Sequence, residues 1–532
     1  MIRTNQAVHG TSVMRHSVTT WISRRVERVL RATALVAIAV VCSAFSFCWA
    51  EQNPQGKERP NIVIILADDL GYGSVECYGA PADLVRTPNI DRLAREGQRF
   101  TDANTPSSVC TPTRYALLTG RYCWRTDLKH EVASVFSPLL IEPGRINLAS
   151  MLKKYGYETA AIGKWHLGYG TGPRTDYTKE LRPGPLEIGF DYHFAVPSNH
   201  GDITGVYVEN HHVYGLRSDK LNPTNLGTNF NKRPYLGLDA PQRVDEEVMP
   251  VLTTKAEQWI ESRSGNKPFF LYFTPVAVHN PVTPSEKTKG TSKAGPYGDW
   301  IHELDLSVGR ILDVLDRKGF TPNTLVIFTS DNGGVNKPTI PSESTDALKA
   351  GLPICGPFRG GKHDVWEGGF RVPFIVRWPG HVTPGTVCDE MMSLTDVLAT
   401  VAAIMGENLP PPDVGAEDSY NMLPAWLGQP YSSPIRPDMI VHSADGNFAI
   451  RRGKWKWIEG TYHPDTRPGA LRLRADQFHP QLYDLSTDIG ETHDVAAEHP
   501  EVVAELSRLL NHYRDCGHSR QVTPPDQVRR EN

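Results

Sequence analysis

The chain has 532 residues, with 56 Lys and Arg against 60 Asp and Glu and a formal net charge of −4, which argues against a nucleic-acid binder because such proteins carry a basic excess. Gly, Pro and aromatic residues are spread along the chain without repeats or low-complexity blocks, so a fibrous or largely disordered protein is excluded. At this length we expect one large domain and a smaller one.

The N-terminal segment, residues 1–50, has the pattern of an export signal. Four arginines between positions 24 and 31 precede the apolar run 32–50, which ends in Cys-Trp-Ala, as in a signal peptide. The run also approaches the roughly 20 residues of a membrane span, so an uncleaved anchor stays open. We predict an exported protein, periplasmic or extracellular, that is either freed of this segment or held at a membrane by it.

Removing residues 1–50, with their six Arg and one Glu, leaves 50 basic and 59 acidic side chains, a formal charge of −9. An anionic substrate must therefore be met by a local cluster of positive charge.

Four short apolar runs in the rest of the chain each lead into polar residues. These residues are, in chain order, Asp68 with Asp69, Lys164 with His166, His279, and Asp331 with Asn332. Such runs suit strands that are buried on both faces of a parallel sheet. Open α/β sheets bind ligands at the carboxyl ends of their strands, so we expect the four groups to form one site.

Helical patterns lie between these runs, at 87–100, at 146–157, at 301–319 and after Cys110. Strands that alternate with helices predict an α/β fold.

Oxygen-bearing side chains dominate two of the four groups. Asp68, Asp69, Asp331 and Asn332 offer hard ligands, which suit Ca²⁺ or Mg²⁺ better than Zn²⁺. The sequence therefore predicts a divalent cation at this edge of the sheet.

Basic side chains are available to bind an oxyanion beside that cation, namely Lys164, Lys362 and Arg114. His166 and His279 have ordinary pKa values suited to moving protons near neutrality. The implied substrate is a small tetrahedral ester.

Cys110 lies at the predicted start of a helix, with Pro112 in the first turn. The positive end of a helix dipole stabilises an anion, so a thiolate nucleophile would suit this position. Sulfur is nevertheless an odd partner for a hard cation, and a cysteine that serves only as a small buried side chain stays open.

The segment 108–114, Ser-Val-Cys-Thr-Pro-Thr-Arg, and the Leu-Leu-Thr-Gly that follows at 117–120 resemble the signature of the sulfatase family, Cys-x-Pro-x-Arg before a helix that ends in Thr-Gly. The stretches NIVIILADDLGYG, GKWHLG, TSDNGG and GGKHDVWEGGFRVPFIVRWPG are similar to that family's other motifs and follow the family's order between about Pro60 and Gly380. LYDLSTDIGETHDVA resembles the segment before the family's terminal helix.

This resemblance implies an alkaline-phosphatase-like fold: a large mixed, mostly parallel sheet flanked by helices, with a smaller C-terminal α+β domain. It implies hydrolysis of a sulfate ester, of a sulfated carbohydrate or an aryl sulfate. It also implies that a maturase converts Cys110 to formylglycine, whose hydrated aldehyde replaces soft sulfur by hard oxygen.

The resemblance further implies a role for each site residue. One oxygen of modified Cys110 would join the four oxygen-bearing residues around the cation, with Ca²⁺ favoured over Mg²⁺. Arg114 would hold the formylglycine, and Lys164 and Lys362 would grip the sulfate oxygens. His279 with Lys362 would assist departure of the alcohol, and His166 would support the aldehyde hydrate and help eject sulfate.

The Pro-rich stretch 407–418 marks the end of the main domain. We predict a catalytic α/β domain over 58–425 and a C-terminal α+β unit over 426–520, made of short strands and the helical pattern 500–515. The irregular segments 170–243 and 342–357 are expected to wall the substrate pocket.

Competing functions stay open at this point. Related folds cleave phosphate or phosphonate esters, but two lysines with one cation favour sulfate, since phosphatases of the wider superfamily tend to use two metals. A non-catalytic binding module on the same fold is a more remote alternative. The oligomeric state is not predicted.

Overall fold

The computed structural model describes residues 59–222, 227–337, 342–461 and 478–521. The predicted leader, residues 1–50, lies outside these ranges. Within them, the search for a helix both long and apolar enough to cross a bilayer finds none.

The strands are numbered in chain order. They are β1 (Asn61–Ala67), β2 (Gln98–Phe100), β3 (Ala103–Asn104), β4 (Glu158–Lys164), β5 (Tyr192–Val196), β6 (Val208–Glu209), β7 (His212–Val213), β8 (Phe269–Thr274), β9 (Thr324–Ser330), β10 (Phe374–Arg377), β11 (Thr386–Cys388), β12 (Met392–Ser393), β13 (Asp438–His442), β14 (Phe448–Arg452), β15 (Trp455–Ile458) and β16 (Gln481–Asp484).

The α-helices of the described residues are numbered likewise. They are α1 (Pro88–Glu96), α2 (Cys110–Thr119), α3 (Leu148–Lys154), α4 (Val248–Glu261), α5 (Pro296–Arg317), α6 (Thr345–Lys349), α7 (Val397–Met405), α8 (Leu423–Trp426) and α9 (Pro500–Cys516).

A ten-stranded sheet forms the centre of the molecule, in the order β11-β2-β10-β9-β1-β8-β4-β5-β6-β7. Strands β9, β1, β8, β4 and β5 are mutually parallel, whereas β10 pairs antiparallel with both β9 and β2, and β6 runs antiparallel to β5. The predicted mixed, mostly parallel sheet is confirmed.

Strand β1 lies at the middle of this sheet and is buried on both faces. Ile62, Ile64 and Leu66 pack into the hydrophobic core on one face, while Val63 and Ile65 pack into the core on the other. The alternation follows from the two-residue period of a strand. It explains why the run is apolar at every position and carries no alternating pattern.

The predicted helix over 87–100 ends earlier, at Glu96. A Cβ at Gly97 would come within 2.3 Å of the Val376 carbonyl oxygen, so the chain crosses tightly there and continues as β2, which pairs with β10. The other helical patterns are found where expected, and the pattern over 301–319 is extended at its start to Pro296. That proline occupies the first turn, where its missing N–H costs no hydrogen bond.

The C-terminal part of the chain forms a four-stranded antiparallel sheet, β13-β14-β15-β16. Helix α9 covers one face, where Leu506 and Leu510 meet Ile450. The opposite face packs on Trp366 and Phe370 of the main domain. The smaller C-terminal domain is therefore confirmed, while its start at residue 426 stays a prediction.

Buried charges fasten this sheet to the main domain. Lys456, on β15, has no exposed surface, and its Nζ lies 2.7 Å from Glu491 Oε1 and 3.1 Å from Glu367 Oε1. Glu367 also pairs with Arg371 at 2.7 Å and with Arg451, on β14, at 3.3 Å. We call these five residues the ionic junction.

Candidate active site

Four neighbouring parallel strands deliver the predicted site residues to one edge of the sheet. In the order β9-β1-β8-β4, the residues at or beyond their carboxyl ends are Asp331 and Asn332, Asp68 and Asp69, His279, and Lys164 with His166. Cys110, the first residue of α2, meets them there. The expected convergence is what the structure shows.

Three carboxylates and the thiol lie in one buried cluster. Ligand atoms of Asp68, Asp69, Asp331 and Cys110 are all within 4.8 Å of one another, and the Cys110 sulfur is 3.7 Å from Asp68 Oδ1. Asn332 completes the group, because its Nδ2 donates to Asp69 Oδ1 at 2.8 Å. Its Oδ1 is buried and has no hydrogen-bond donor. An orphaned amide oxygen beside clustered carboxylates fits a hard cation.

Three cations neutralise this cluster. The Lys164 ammonium lies 2.8 Å and 2.9 Å from the two Asp68 oxygens, and the Lys362 ammonium lies 2.7 Å from Asp69 Oδ2. Arg114 donates to Asp331 Oδ2 from Nε at 3.0 Å and from Nη2 at 2.6 Å, and its Nη1 donates to the Lys164 carbonyl oxygen. The site thus has fixed positive charge next to the sulfur.

The two predicted histidines lie on the same side of the site. His279 Nε2 is 3.8 Å from Asp69 Oδ2, and its Nδ1 is 2.6 Å from the Asn280 carbonyl oxygen. His166 Nε2 contacts the Ala133 carbonyl oxygen at 3.0 Å, and its Nδ1 is buried without a partner. Burial, together with Lys362 for His279 and Lys164 for His166, lowers the pKa of each imidazole well below its usual value.

Burial also sets the charge state of the thiol. It raises the pKa of Cys110 to about 12, against the lowering effect of Lys164 and with a further raising effect of Asp331. The thiol is therefore protonated at neutral pH. The start of α2 does not produce the reactive thiolate that the helix dipole alone suggested.

The two aspartates after β1 differ in electrostatics. Burial, with the neighbouring Asp331 and Asp69 and against Lys164, raises the pKa of Asp68 to about 7. Burial also raises the pKa of Asp69, but the electrostatic effects of Lys362 and His279 outweigh burial and hold the pKa of Asp69 below its usual range. Despite its bonds to Lys164, Asp68 is therefore the more readily protonated of these two aspartates.

Two site residues adopt left-handed backbone conformations. Asp69 has φ of 61° and His166 has φ of 56°, values that non-glycine residues adopt only where the surroundings fix them. Asp69 N donates to Asp331 Oδ1, and His166 N donates to the Pro197 carbonyl oxygen at 3.0 Å. These bonds aim both side chains into the site.

Close backbone packing positions Lys362, a feature that the sequence interpretation missed. Lys362 N donates to the Gly334 carbonyl oxygen at 2.8 Å, and a Cβ at Gly361 would come within 2.5 Å of that same oxygen. A Cβ at Gly333 would come within 1.8 Å of the Gly368 carbonyl oxygen. The Gly-Gly pairs of the two motifs were the available signal, because only glycine allows such an approach.

A cleft of about 580 Å³ opens beside the site, with His166 and His279 among its lining residues. The predicted wall segment 170–243 supplies residues 198, 199, 201–203, 229–231 and 233 to it, as the sequence suggested. The segment 342–357 supplies none of the described residues that line this cleft. It lies elsewhere because Ile354 is buried against Gly71.

Comparison with known proteins places these features in a family. A sequence model of the family described as Sulfatase matches residues 60–407. An N-acetylgalactosamine-6-O-sulfatase of Bacteroides thetaiotaomicron is 38% identical over 490 residues, 86% of this chain and 94% of that protein. Human arylsulfatase A is 34% identical over 476 residues, 85% of this chain and 87% of that protein.

Solved structures of other proteins superpose on this chain. A Bacteroides thetaiotaomicron protein from work on the metabolism of multiple glycosaminoglycans superposes with a TM-score of 0.79 at 37% identity, covering 86% of this chain and all of that one. A phosphonate monoester hydrolase of Agrobacterium radiobacter shares the fold, with a TM-score of 0.53 at 19% identity, over 86% of this chain and 96% of that one.

Proposed function

The chain belongs to the sulfatase family and hydrolyses sulfate esters, and on that premise we propose that it removes sulfate from a sulfated carbohydrate, with formylglycine made from Cys110 as the nucleophile. The observation that carries the proposal is the meeting of the Cys110 sulfur, three carboxylates and two lysine ammonium groups at one sheet edge. Relatives named N-acetylgalactosamine-6-sulfatase make that sugar sulfate the first substrate to test, before an aryl sulfate.

We propose Ca²⁺ as the resident cation. Asp68, Asp69, Asp331, the side-chain oxygen of Asn332 and one oxygen of modified Cys110 would hold it. The unpartnered Asn332 oxygen and the raised pKa of Asp68 support this assignment, because the Asn332 oxygen has no donor and Lys164 does not offset the burial of Asp68 beside two other carboxylates. When bound, the cation would neutralise the carboxylates and stabilise negative charge on the reacting oxygens.

Cys110 is poorly suited to act as a thiol, since its pKa is about 12. Formylglycine supplies a hydrated aldehyde with two hydroxyl groups, one to attack sulfur and one to release sulfate without attack by water at sulfur. Arg114 lies one helical turn away and would orient that group while it remains paired with Asp331.

The remaining basic residues would bind the sulfate group. Lys164 and Lys362 each place an ammonium beside a cluster carboxylate and would compensate the charge of the sulfate oxygens. His279 would protonate the leaving alcohol together with Lys362. Its pKa is low in the protein alone, and a bound anion would raise it. His166 would take a proton when sulfate leaves.

Export and maturation complete the proposal. Residues 1–50 would direct the chain to the periplasm or the cell exterior, and a separate maturase would modify Cys110. Phosphate and phosphonate esters are not favoured as substrates, because the phosphonate hydrolase shares only the fold at 19% identity.

The test is sulfate release by the purified protein after co-expression with a formylglycine-generating enzyme. We expect turnover of N-acetylgalactosamine 6-sulfate, and mass spectrometry of the peptide that contains Cys110 should show the modified residue. Cys110→Ala should abolish turnover, whereas Cys123→Ala, a change at a buried cysteine outside the site, should retain it. Release of phosphate but not sulfate, or full activity of the Cys110→Ala protein, would refute the proposal.

A further inference from the structure

A short loop that lines the cleft is closed by hydrogen bonds between its two ends. Residues 228 and 234 form an isolated β-bridge, and between them Asn229 N donates to the Arg233 carbonyl oxygen at 2.8 Å. Arg233 N returns a bond to Asn229 Oδ1 at 2.9 Å. We call residues 228–234 the mouth loop.

The mouth loop is anchored at its base and exposed at its tip. Asn229 is buried, and its Nδ2 donates to the Gly201 carbonyl oxygen at 2.9 Å. Phe230 is 42% exposed although it is large and apolar. Both Phe230 and Arg233 line the cleft that contains His279, so the exposed ring faces the same cavity as the proposed reacting groups.

The charge of the mouth loop opposes that of the whole protein. Among the described residues, neither Lys232 nor Arg233 has a carboxylate within 4.0 Å. Asp202, the acidic residue of the cleft lining, is occupied by Arg243 at 3.3 Å and by Thr204. In a chain whose net charge is −4, the mouth therefore attracts anions.

A second segment at the cleft also combines an aromatic ring with a cation. The Arg174 guanidinium lies 3.5 Å from the centre of the Phe136 ring, and Phe136 lines the cleft. Arg174 likewise has no carboxylate partner among the described residues. An aromatic ring with a cation therefore occurs on two different segments around one opening.

We propose that the mouth loop is a binding subsite for an anionic sugar unit next to the sulfated one, an inference that rests on the proposed function. Phe230 packs against the face of the neighbouring sugar ring, and Arg233 pairs with the anionic group of that sugar, a carboxylate or a second sulfate. A cleft of about 580 Å³ lies within the usual size range of small-molecule binding pockets. The substrate is then an acidic oligosaccharide rather than a free sugar sulfate.

The test compares kcat/KM for the 6-sulfated monosaccharide and for three disaccharides in which the neighbouring sugar is neutral, carries a carboxylate or carries a second sulfate. We expect the wild-type enzyme to prefer an acidic disaccharide, and the preferred acid identifies the anionic group. Arg233→Ala should reduce that preference roughly fivefold, the upper end for an exposed charge pair, mainly through KM. Added salt should reduce the preference in the wild-type enzyme.

Matched measurements separate this subsite from the reaction itself. Lys220→Ala changes an exposed cation of the same insertion that does not line the cleft, and it should leave the preference unchanged. Turnover of the monosaccharide by Arg233→Ala shows that the variant is folded. If that variant is inactive on every substrate, the subsite is tested instead by whether the wild-type enzyme prefers acidic disaccharides and loses that preference in added salt. Equal kcat/KM for neutral and acidic disaccharides would overturn the subsite, while failure on all sulfated sugars would overturn the proposed function.

Discussion

The ionic junction predicts a large stability loss when Lys456 is replaced by Met. The lysine has no exposed surface and serves two buried carboxylates, at 2.7 Å and 3.1 Å. Glu367 would keep its pairs with Arg371 and Arg451, but Glu491 would lose its cationic partner among the described residues. Removal of one partner from a buried ion pair costs about 3–5 kcal/mol, and we expect a loss of that size.

The loss should depend on pH. Burial, with Glu367 and against Lys456, raises the pKa of Glu491 from 4.5 to about 7. A group with a raised pKa stabilises the fold below its unfolded value and loses that contribution as pH rises through the folded value. Loss of Lys456 raises the folded pKa further. The stability lost by the Lys456→Met variant relative to the wild type should therefore be smallest near pH 4.5 and should grow as pH rises through 7.

Urea unfolding followed by tryptophan fluorescence at several pH values measures the free energy of unfolding. The matched control is Lys454→Met, because Lys454 is half-exposed two residues earlier and pairs with Asp484 at 2.6 Å; it should cost less than about 1 kcal/mol. Adding Glu491→Gln to Lys456→Met should recover part of the loss and remove its pH dependence. A Lys456→Met protein as stable as the control would refute the reasoning.

Three further predictions concern the site. Cys110→Ser should bind substrate but turn over poorly, because serine offers a single hydroxyl and no aldehyde can re-form; multiple turnover at the wild-type rate, measured as sulfate released per enzyme, would contradict the mechanism. His279→Ala should slow alkyl sulfates more than activated aryl sulfates, because a good leaving group needs less proton donation; equal losses of kcat would argue against the acid role. Chelation of the proposed cation should lower both activity and the thermal midpoint, because an ion held by the folded site stabilises the fold, and Ca²⁺ should restore both; a protein that stays fully active after exhaustive dialysis against chelator would count against the metal.

The sequence predicted where the candidate site residues lie because the information for their positions is local. Each apolar run that ends in Asp68, Lys164 or Asp331 reports one buried strand and its polar end. Parallel strands then bring these ends together, so no long-range contact had to be known. The same reasoning located Cys110 at the start of a helix.

The features of the fold and of the candidate site that could not be predicted depend on contacts between segments distant in the sequence. Lys456 lies in a short strand that gives no sign of a buried partner, and Glu367 and Glu491 are far from it along the chain. The low reactivity of the Cys110 thiol arises from burial, which the helix pattern does not report. The mouth loop has no periodic pattern, and its anchor, Asn229, bonds to a carbonyl of another segment.

The signature cysteine is enclosed by residues that are synthesised much later. Cys110 is 2% exposed, and the loop before it lies against the end of β13, where Ser108 N donates to the His442 carbonyl oxygen at 3.2 Å. On the proposed function, a modifying enzyme would have access to the thiol only before that contact forms. We therefore expect maturation to precede completion of the fold, while the nascent or translocating chain still lacks its C-terminal sheet.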